Sequence, residues 1–256
     1  MTGRLPRPDA ADGAAGSPNG EPAARLADVC ARRAAVYQAL ALGFREPTAA
    51  YLAALTGGEL VEGLREAVAW LGPDAALYEP ALTALAATGA AAAQTDPDAA
   101  LEALAVEHAR LLTGPGRPAV QCYATQYLEP GDDRLPRLNG AAAAYAAAAY
   151  AAAGVATADA QLELPDYIGV ELEFLFHLCR CEEAAWESEA GDDALYLRRS
   201  LDAFLREHAA RFFSEFAAAL RAATPAPLYG ALADLLDAHV VVELGGPAAA
   251  EERAAR

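Results

Sequence analysis

Apolar residues recur along most of the chain at intervals of three and four, the spacing that places them on one face of an α-helix. Proline and glycine, the usual helix-ending residues, separate these periodic segments. No alternating apolar and polar run is followed by a hairpin turn, so we predict an all-α fold, a single-domain multi-helix bundle. The expected helices cover approximately residues 24–44, 48–56, 58–71, 75–89, 97–113, 139–154, 165–187, 193–222 and 227–243.

The composition changes at both ends of the chain. Residues 1–22 are rich in Gly, Pro, Ala and Asp and lack periodicity, so we expect a disordered segment. The helical domain is expected over 23–244, and a flexible polar tail over 245–256. The longest break between helices, 114–137, contains the run Q-C-Y-A-T-Q-Y. A loop of this length in a compact helical domain is often functional or a lid.

The charged residues exclude several functions. All 19 basic residues are arginine. The absence of lysine excludes a phosphate-binding loop of the type that needs lysine, and it excludes catalysis through a lysine Schiff base. The net charge of −17 opposes binding to nucleic acid and to anionic membranes, and it favours a cationic partner. The four cysteines form no regular framework, and we recognise no signal peptide. We therefore expect reduced thiols in a cytoplasmic protein.

Two segments resemble targeting or membrane sequences. Arg32 and Arg33 precede the apolar run 34–44, which is too short for a twin-arginine leader. Residues 138–158 carry no charge but consist mostly of alanine, which gains little free energy on transfer into a bilayer. We expect both segments to be helices of the folded domain, with no stable membrane insertion.

No pattern of metal or nucleophilic catalysis stands out. A di-iron bundle needs Glu-x-x-His twice, and the residues three before the histidines are Ala105, Phe174, Leu205 and Leu236. H-E-x-x-H and G-x-S-x-G are also absent from the sequence. We predict no catalytic residue, no metal ligand and no cofactor.

A carboxylate interrupts the apolar face of the helix expected over 165–187. On a helical wheel, Asp166 and Glu173 fall on a solvated polar stripe, which a Glu173–His177 pair supports. Glu171 and Tyr167 instead form an i,i+4 pair within an apolar sector. A carboxylate there needs a partner or a wet groove. Two interpretations stay open: Glu171 bonds a neighbouring helix end or an arginine and fixes packing, or it lines a cleft and meets a partner.

Six segments carry recognisable motifs in a fixed order. Residues 163–175 read E-L-P-D-Y-I-G-V-E-L-E-F-L, and residues 33–47 read R-A-A-V-Y-Q-A-L-A-L-G-F-R-E-P. They resemble E-x-P-D-H-x-x-x-E-L-x-F-L and R-x-x-x-Y-x-x-L-A-x-x-F-x-x-P of the TorD/DmsD/NarJ-like chaperones, which mature redox enzymes. The segment E-L-P-D…E-L-E-F-L is most similar to the chaperones that serve type II enzymes of the dimethyl-sulfoxide-reductase family.

The other four segments extend the resemblance over about residues 30–240. E-H-A-R-L-L-T-G-P-G (107–116) is similar to E-[YF]-x-R-L-F-x-G-P-G, and C-Y-A-T-Q-Y (122–127) is similar to P-Y-E-S-x-Y. Residues 204–216 resemble F-L-x-x-H-L-x-x-W-x-P-x-F, and 228–236 resemble the final helix. The chain departs from the family at Tyr167, where the family has histidine, within Cys122-Tyr123-Ala124-Thr125, and near Phe212, where the family has tryptophan.

The resemblance implies a binding function without catalysis. Such chaperones hold the apoprotein of a molybdopterin oxidoreductase catalytic subunit, by its twin-arginine leader, its body or both, until the molybdopterin guanine dinucleotide cofactor is inserted. It implies a cytoplasmic protein, either a monomer or a domain-swapped dimer. Asp166 is expected to cap a helix or face an arginine, Glu171 to pair with an arginine, and tyrosines to form apolar walls. The expected client-binding residues are Tyr123, Tyr127, Pro165, Asp166, Tyr167 and Glu171.

Two other functions are weighed against this one. A nucleotide-binding or nucleotide-hydrolysing enzyme is the first, although the sequence lacks lysine and a phosphate loop. A permanent structural subunit that stays with its enzyme after assembly is the second.

Overall fold

The computed structural model describes residues 20–114, 117–129, 138–155, 164–224 and 226–245. This part of the chain is helical and contains no β-strand, which confirms the predicted all-α class. A 3-10 segment (Ala69–Leu77) follows the third helix, and π-helical turns (Ala109–Thr113 and Leu205–Ala209) follow the fifth and ninth. The helices are α1 (Gly20–Gly43), α2 (Ala49–Gly57), α3 (Glu59–Val68), α4 (Glu79–Ala92), α5 (Pro97–His108), α6 (Ala124–Leu128), α7 (Ala141–Ala152), α8 (Ile168–Glu187), α9 (Gly191–Phe204), α10 (Ala210–Ala223) and α11 (Pro227–Glu243).

Local sequence signals fix several helix ends. Asp96 caps α5 by accepting hydrogen bonds from the backbone amides of Asp98 and Ala99, both at 3.1 Å. Gly58 ends α2 with φ +88°, a left-handed conformation that glycine adopts without strain. Because α1 begins at Gly20, the last residues of the segment 1–22 are helical. The rest of that expected disordered segment, and the tail after residue 245, lie outside the described residues.

In the described part of the chain, α1 and α8 form an antiparallel pair with the most extensive packing between two helices. Arg33 of α1 contacts Glu182 of α8, and Arg45, just beyond α1, contacts Glu173, so the two helices run in opposite directions. α9 packs on α8, and α11 packs on both α10 and α4. Burying one large apolar side chain stabilises a fold by about 1.5–3 kcal/mol. The largest fully buried side chains are Tyr37, Tyr78, Tyr229, Phe44, Phe204, Phe212, Phe213 and Phe216.

Small residues let the helix backbones approach closely. At Gly89 of α4, an added Cβ would lie 2.3 Å from the carbonyl oxygen of Leu55 in α2, which leaves no space for a side chain. Alanines such as Ala143, Ala209 and Ala217 are completely buried for the same reason. The high alanine content therefore serves helix packing as well as helix formation.

A buried ionic network ties α1 to α11 and α8. Arg33 is 3% exposed and donates to both carboxylate oxygens of Glu243, at 2.7 and 2.5 Å, and to Glu182 at 3.2 Å. Tyr37 also donates to Glu243, at 3.3 Å. Burial alone would raise the pKa of Glu243, but Arg33 lowers it to about 2. The arginine pair of α1 is thus part of a helix of the folded domain, as predicted.

The alanine-rich segment at 138–158 also behaves as predicted where it is described. α7 covers Ala141–Ala152 and buries Ala142, Ala143, Ala146 and Tyr150. Residues 156–158 lie outside the described part of the chain. Within that part, no helix combines the length and the apolar character that a membrane crossing requires.

Candidate functional site

The segments that lead into α6 and α8 meet at a single antiparallel β-bridge between Tyr123 and Tyr167. The amide of Ala124 donates to the carbonyl of Asp166 at 2.9 Å, and the amide of Ile168 donates to the carbonyl of Cys122 at 2.8 Å. The rings of Tyr123 and Tyr167 lie side by side, with centroids 5.6 Å apart. The structure therefore brings together two of the predicted site residues.

Asp166 is completely buried beside this bridge. Its Oδ2 accepts hydrogen bonds from the amide of Thr125 at 2.9 Å and from the hydroxyl of Thr125 at 2.5 Å. Asp166 therefore caps the start of α6 rather than its own helix. Its predicted position on a solvated stripe is wrong, because α8 begins only at Ile168 and the helical period does not extend back to Asp166.

Glu171 is also completely buried, in the first turn of α8. Its Oε1 lies 2.7 Å from Nε2 of His208, which belongs to the π-helical turn before α10. Burial raises the pKa of Glu171 to about 7, and His208 opposes the rise. The ring of Tyr145 stacks on His208, with centroids 5.1 Å apart. Of the two interpretations left open above, this geometry fits the packing role, with histidine instead of arginine as the partner.

Two further predicted residues support the surrounding framework. The half-buried Tyr127 donates to the carbonyl of Gln121 at 2.8 Å, and its ring centroid lies 5.5 Å from that of Phe212. The carbonyl of Pro165 accepts a hydrogen bond from the hydroxyl of Tyr150 at 2.7 Å. These contacts hold the α6 and α8 entry segments against α7 and α10.

A cleft of about 310 Å³ opens between the end of α1, the π-helical turn after α5 and the start of α8. Of the predicted client-binding residues, Tyr167 is found among the described residues that line this cleft. The ring of Tyr167 packs over Gly169. The partner of Glu173 in this cleft is Arg45 rather than the predicted His177. The ring of His177 lies 3.3 Å from the sulfur of Cys181. The lining residues are Arg45, Glu46, His108, Thr113, Tyr167, Gly169, Val170 and Glu173.

Several motif residues are bonded to one another behind the cleft. Thr125 and Asp166 come from two different motifs, as do Glu171 and His208. The threonine at the family's serine position keeps the hydroxyl that Asp166 needs. Sequence reasoning missed the partners Thr125 and His208, although both stand at motif positions and pairing the motifs would have found them.

A third bonded pair lies within one motif. Glu107 accepts two hydrogen bonds from Arg110, both at 2.7 Å, and one from the hydroxyl of Thr224 at 2.6 Å. Arg110 also donates to the carbonyl of Ala223 at 3.1 Å. This pair therefore secures the end of α10 against the segment that lines the cleft.

The described residues contain no group of three or more His, Cys, Asp or Glu side chains arranged to hold a metal ion. All four cysteines are free thiols, and Cys30, Cys122 and Cys179 are buried. Burial raises the pKa of Cys30 to about 12, which keeps this thiol protonated.

The comparisons with known proteins agree with the class that the motifs and the fold define. The family model for the nitrate reductase delta subunit matches residues 74–218, more than half of the chain. The chain therefore belongs to this family, which confirms the predicted resemblance to redox-enzyme maturation chaperones. The matched region includes α6, α8, the Thr125–Asp166 pair that joins their entry segments, and the Glu171–His208 pair that joins α8 to the turn before α10.

Part of the chain is also similar to a curated assembly chaperone. The selenate reductase assembly chaperone protein of Thauera selenatis is 43% identical over 88 residues, which cover 32% of this chain and 45% of the relative. The match thus spans less than half the length of that relative. No solved structure gives a significant match to the chain.

Proposed function

We propose that this protein is a cytoplasmic chaperone that binds the apoprotein of a molybdopterin oxidoreductase catalytic subunit. It would hold that subunit until its cofactor is inserted and delay its export until it is folded. The observation that carries the proposal is the family match over 74–218, together with a relative whose name describes an assembly chaperone. The proposed activity is binding and release, with no covalent chemistry by the chaperone itself.

The cleft beside Tyr167 is the proposed contact site for the client. Its described walls combine an aromatic ring, the apolar side chain of Val170, the carboxylate of Glu46 and the ion pair of Glu173 with Arg45. A twin-arginine leader combines two guanidinium groups with an apolar segment, so its chemistry complements these walls. The acidic net charge of −17 would also attract such a cationic segment over a distance.

The predicted site residues then divide into two roles. Tyr167, with Tyr123 beside it, would contact the client directly, because its ring is half-buried at the cleft. Asp166 and Glu171 are completely buried, so we propose that they position the α6 and α8 entry segments. Pro165 and Tyr127 would support the same framework through their hydrogen bonds.

Affinity purification of the tagged protein from its native cells tests the proposed partner. We expect mass spectrometry to identify a molybdopterin oxidoreductase catalytic subunit that lacks its cofactor. Recovery of the mature, cofactor-loaded enzyme in a stable complex would instead identify a permanent structural subunit. Failure to recover any such oxidoreductase subunit would contradict the proposal, and nucleotide hydrolysis by the purified chain would support the enzyme alternative.

Substitution of Tyr167 by alanine tests the proposed site. We expect client affinity to fall about tenfold, since buried aromatic contacts at interfaces are often worth more than about 1 kcal/mol. Tyr196→Ala is the matched control, because Tyr196 is 47% exposed on α9 and is not among the residues that line the cleft. Calorimetric titration with the purified client measures both affinities. Equal affinities for the wild type and Tyr167→Ala would place the client elsewhere.

A further inference from the structure

The Arg45–Glu173 contact lies within the cleft to which the proposed function assigns the client. It joins the chain just after α1 to the second turn of α8. The two side chains are 57% and 41% exposed, so both are accessible from solvent. A cleft of about 310 Å³ has the size of a small ligand pocket, which fits single side chains rather than a whole helix.

The two residues stand at positions that the motifs leave open. Arg45 is an x in F-x-x-P, and Glu173 is the x in E-L-x-F-L. The neighbouring motif residues Glu171 and Asp166 are instead buried and bonded within the protein. The pair therefore stands outside the motif positions and is exposed, whereas the neighbouring motif residues form a buried framework.

The chemistry of the pair identifies the kind of group that could replace Arg45. A carboxylate on a cleft wall binds a guanidinium through charge-assisted hydrogen bonds, and a tyrosine ring offers it a cation–π surface. Glu173 and Tyr167 supply both elements here, and Glu46 adds a second carboxylate. An exposed ion pair contributes little to stability and is screened by salt, so exchanging one guanidinium for another costs little.

We infer that Arg45 is an internal stand-in for an arginine of the client, and that Glu173 is the acceptor for which both compete. On this basis Arg45 is a specificity-determining residue. Binding of the client's arginine displaces Arg45 from Glu173 and leaves the buried framework unchanged. The inference rests on the proposed function and adds the ligand group and its acceptor residue.

Opposite effects of two substitutions test this competition. The probe is a fluorescent synthetic peptide with two adjacent arginines followed by an apolar segment, titrated at low ionic strength. Arg45→Gln removes the competitor, so we expect it to tighten binding by roughly three- to tenfold. Glu173→Gln removes the acceptor, so it should weaken binding by a similar factor, and Arg45→Gln should bring no gain when combined with it.

Matched controls come from an exposed ion pair outside this cleft. Arg65 and Glu79 lie 3.0 Å apart with side chains 45% and 57% exposed. Arg65→Gln and Glu79→Gln should leave binding unchanged, although they change the net charge in the same way. A peptide with glutamine in place of both arginines should bind the wild type and Arg45→Gln equally weakly. Circular dichroism checks that every variant remains folded.

The possible results separate the inference from the proposed function. If the wild type binds the arginine peptide and Arg45→Gln binds it no tighter, the inference is wrong while the proposed function stands. If the client is recovered from cells but neither the wild type nor Arg45→Gln binds the peptide, arginine is not the recognised group, and the inference is again wrong. Loss of both client and peptide binding would overturn both proposals.

Discussion

At the scale of single residues, burial separates the acidic side chains into different kinds. Glu173 lies at an open cleft, whereas Glu171 is completely buried and bonded to His208. The pKa of Glu171 is raised to about 7 by burial, whereas Arg33 lowers the pKa of the buried Glu243 to about 2. Glu171 and Glu243 therefore contribute in opposite directions to the dependence of stability on pH.

Glu171→Gln should reveal the contribution of the raised pKa. The folded protein holds the Glu171 proton more tightly than the unfolded chain, so the wild type loses stability relative to Glu171→Gln as pH rises from the unfolded pKa of 4.5 towards the folded pKa of about 7. The free energy of unfolding of the wild type, minus that of Glu171→Gln, should fall by about 3 kcal/mol over that interval. Urea unfolding of both proteins between about pH 5 and 8 measures it. A difference that stays constant or grows with pH would contradict the assignment.

At the scale of helices, local signals predicted the elements well, and long-range partners escaped prediction. Alanine content, apolar period and residues such as Asp96 and Gly58 act within a few positions, so most of the helix map follows from the sequence. The exception is α6, which lies inside the break expected over 114–137. The wheel failed at Asp166 because it continued the period of α8 past the start of that helix. The bond between Glu171 and His208 joins residues far apart in the chain, which no local period encodes.

The Arg33–Glu243 pair links α1 and α11, and Glu243→Gln tests its importance. Because Arg33 is 3% exposed, loss of its main partner leaves a buried charge poorly compensated. We expect the free energy of unfolding to fall by about 3–5 kcal/mol. Glu79→Gln breaks the exposed pair with Arg65 and should cost no more than about 1 kcal/mol. Urea unfolding compares the two variants, and equal losses would show that Arg33 finds another partner or water.

At the scale of the whole molecule, the sequence predicted the class of fold and the family, while the architecture of the site came from the structure. The motifs indicated Tyr167, Asp166 and Glu171 as one binding set. The structure instead shows Tyr167 at a cleft, with the two carboxylates buried behind it. Motif spacing reports which residues a family retains, but burial decides which of them a partner can reach.

The net charge of −17 gives folding and client binding opposite dependences on salt. Self-repulsion of an acidic surface weakens the folded state, and salt screens that repulsion. The melting temperature should therefore rise as sodium chloride increases from about 0.01 to 0.5 M, because the Debye length shrinks from about 30 Å to below 8 Å. Affinity for the arginine peptide should fall over the same range, because screening also weakens its attraction to the cleft. Parallel melting and titration series measure both trends. A melting temperature that falls with salt would contradict the self-repulsion of the folded state. An affinity that stays constant or rises with salt would show that apolar contacts carry client binding.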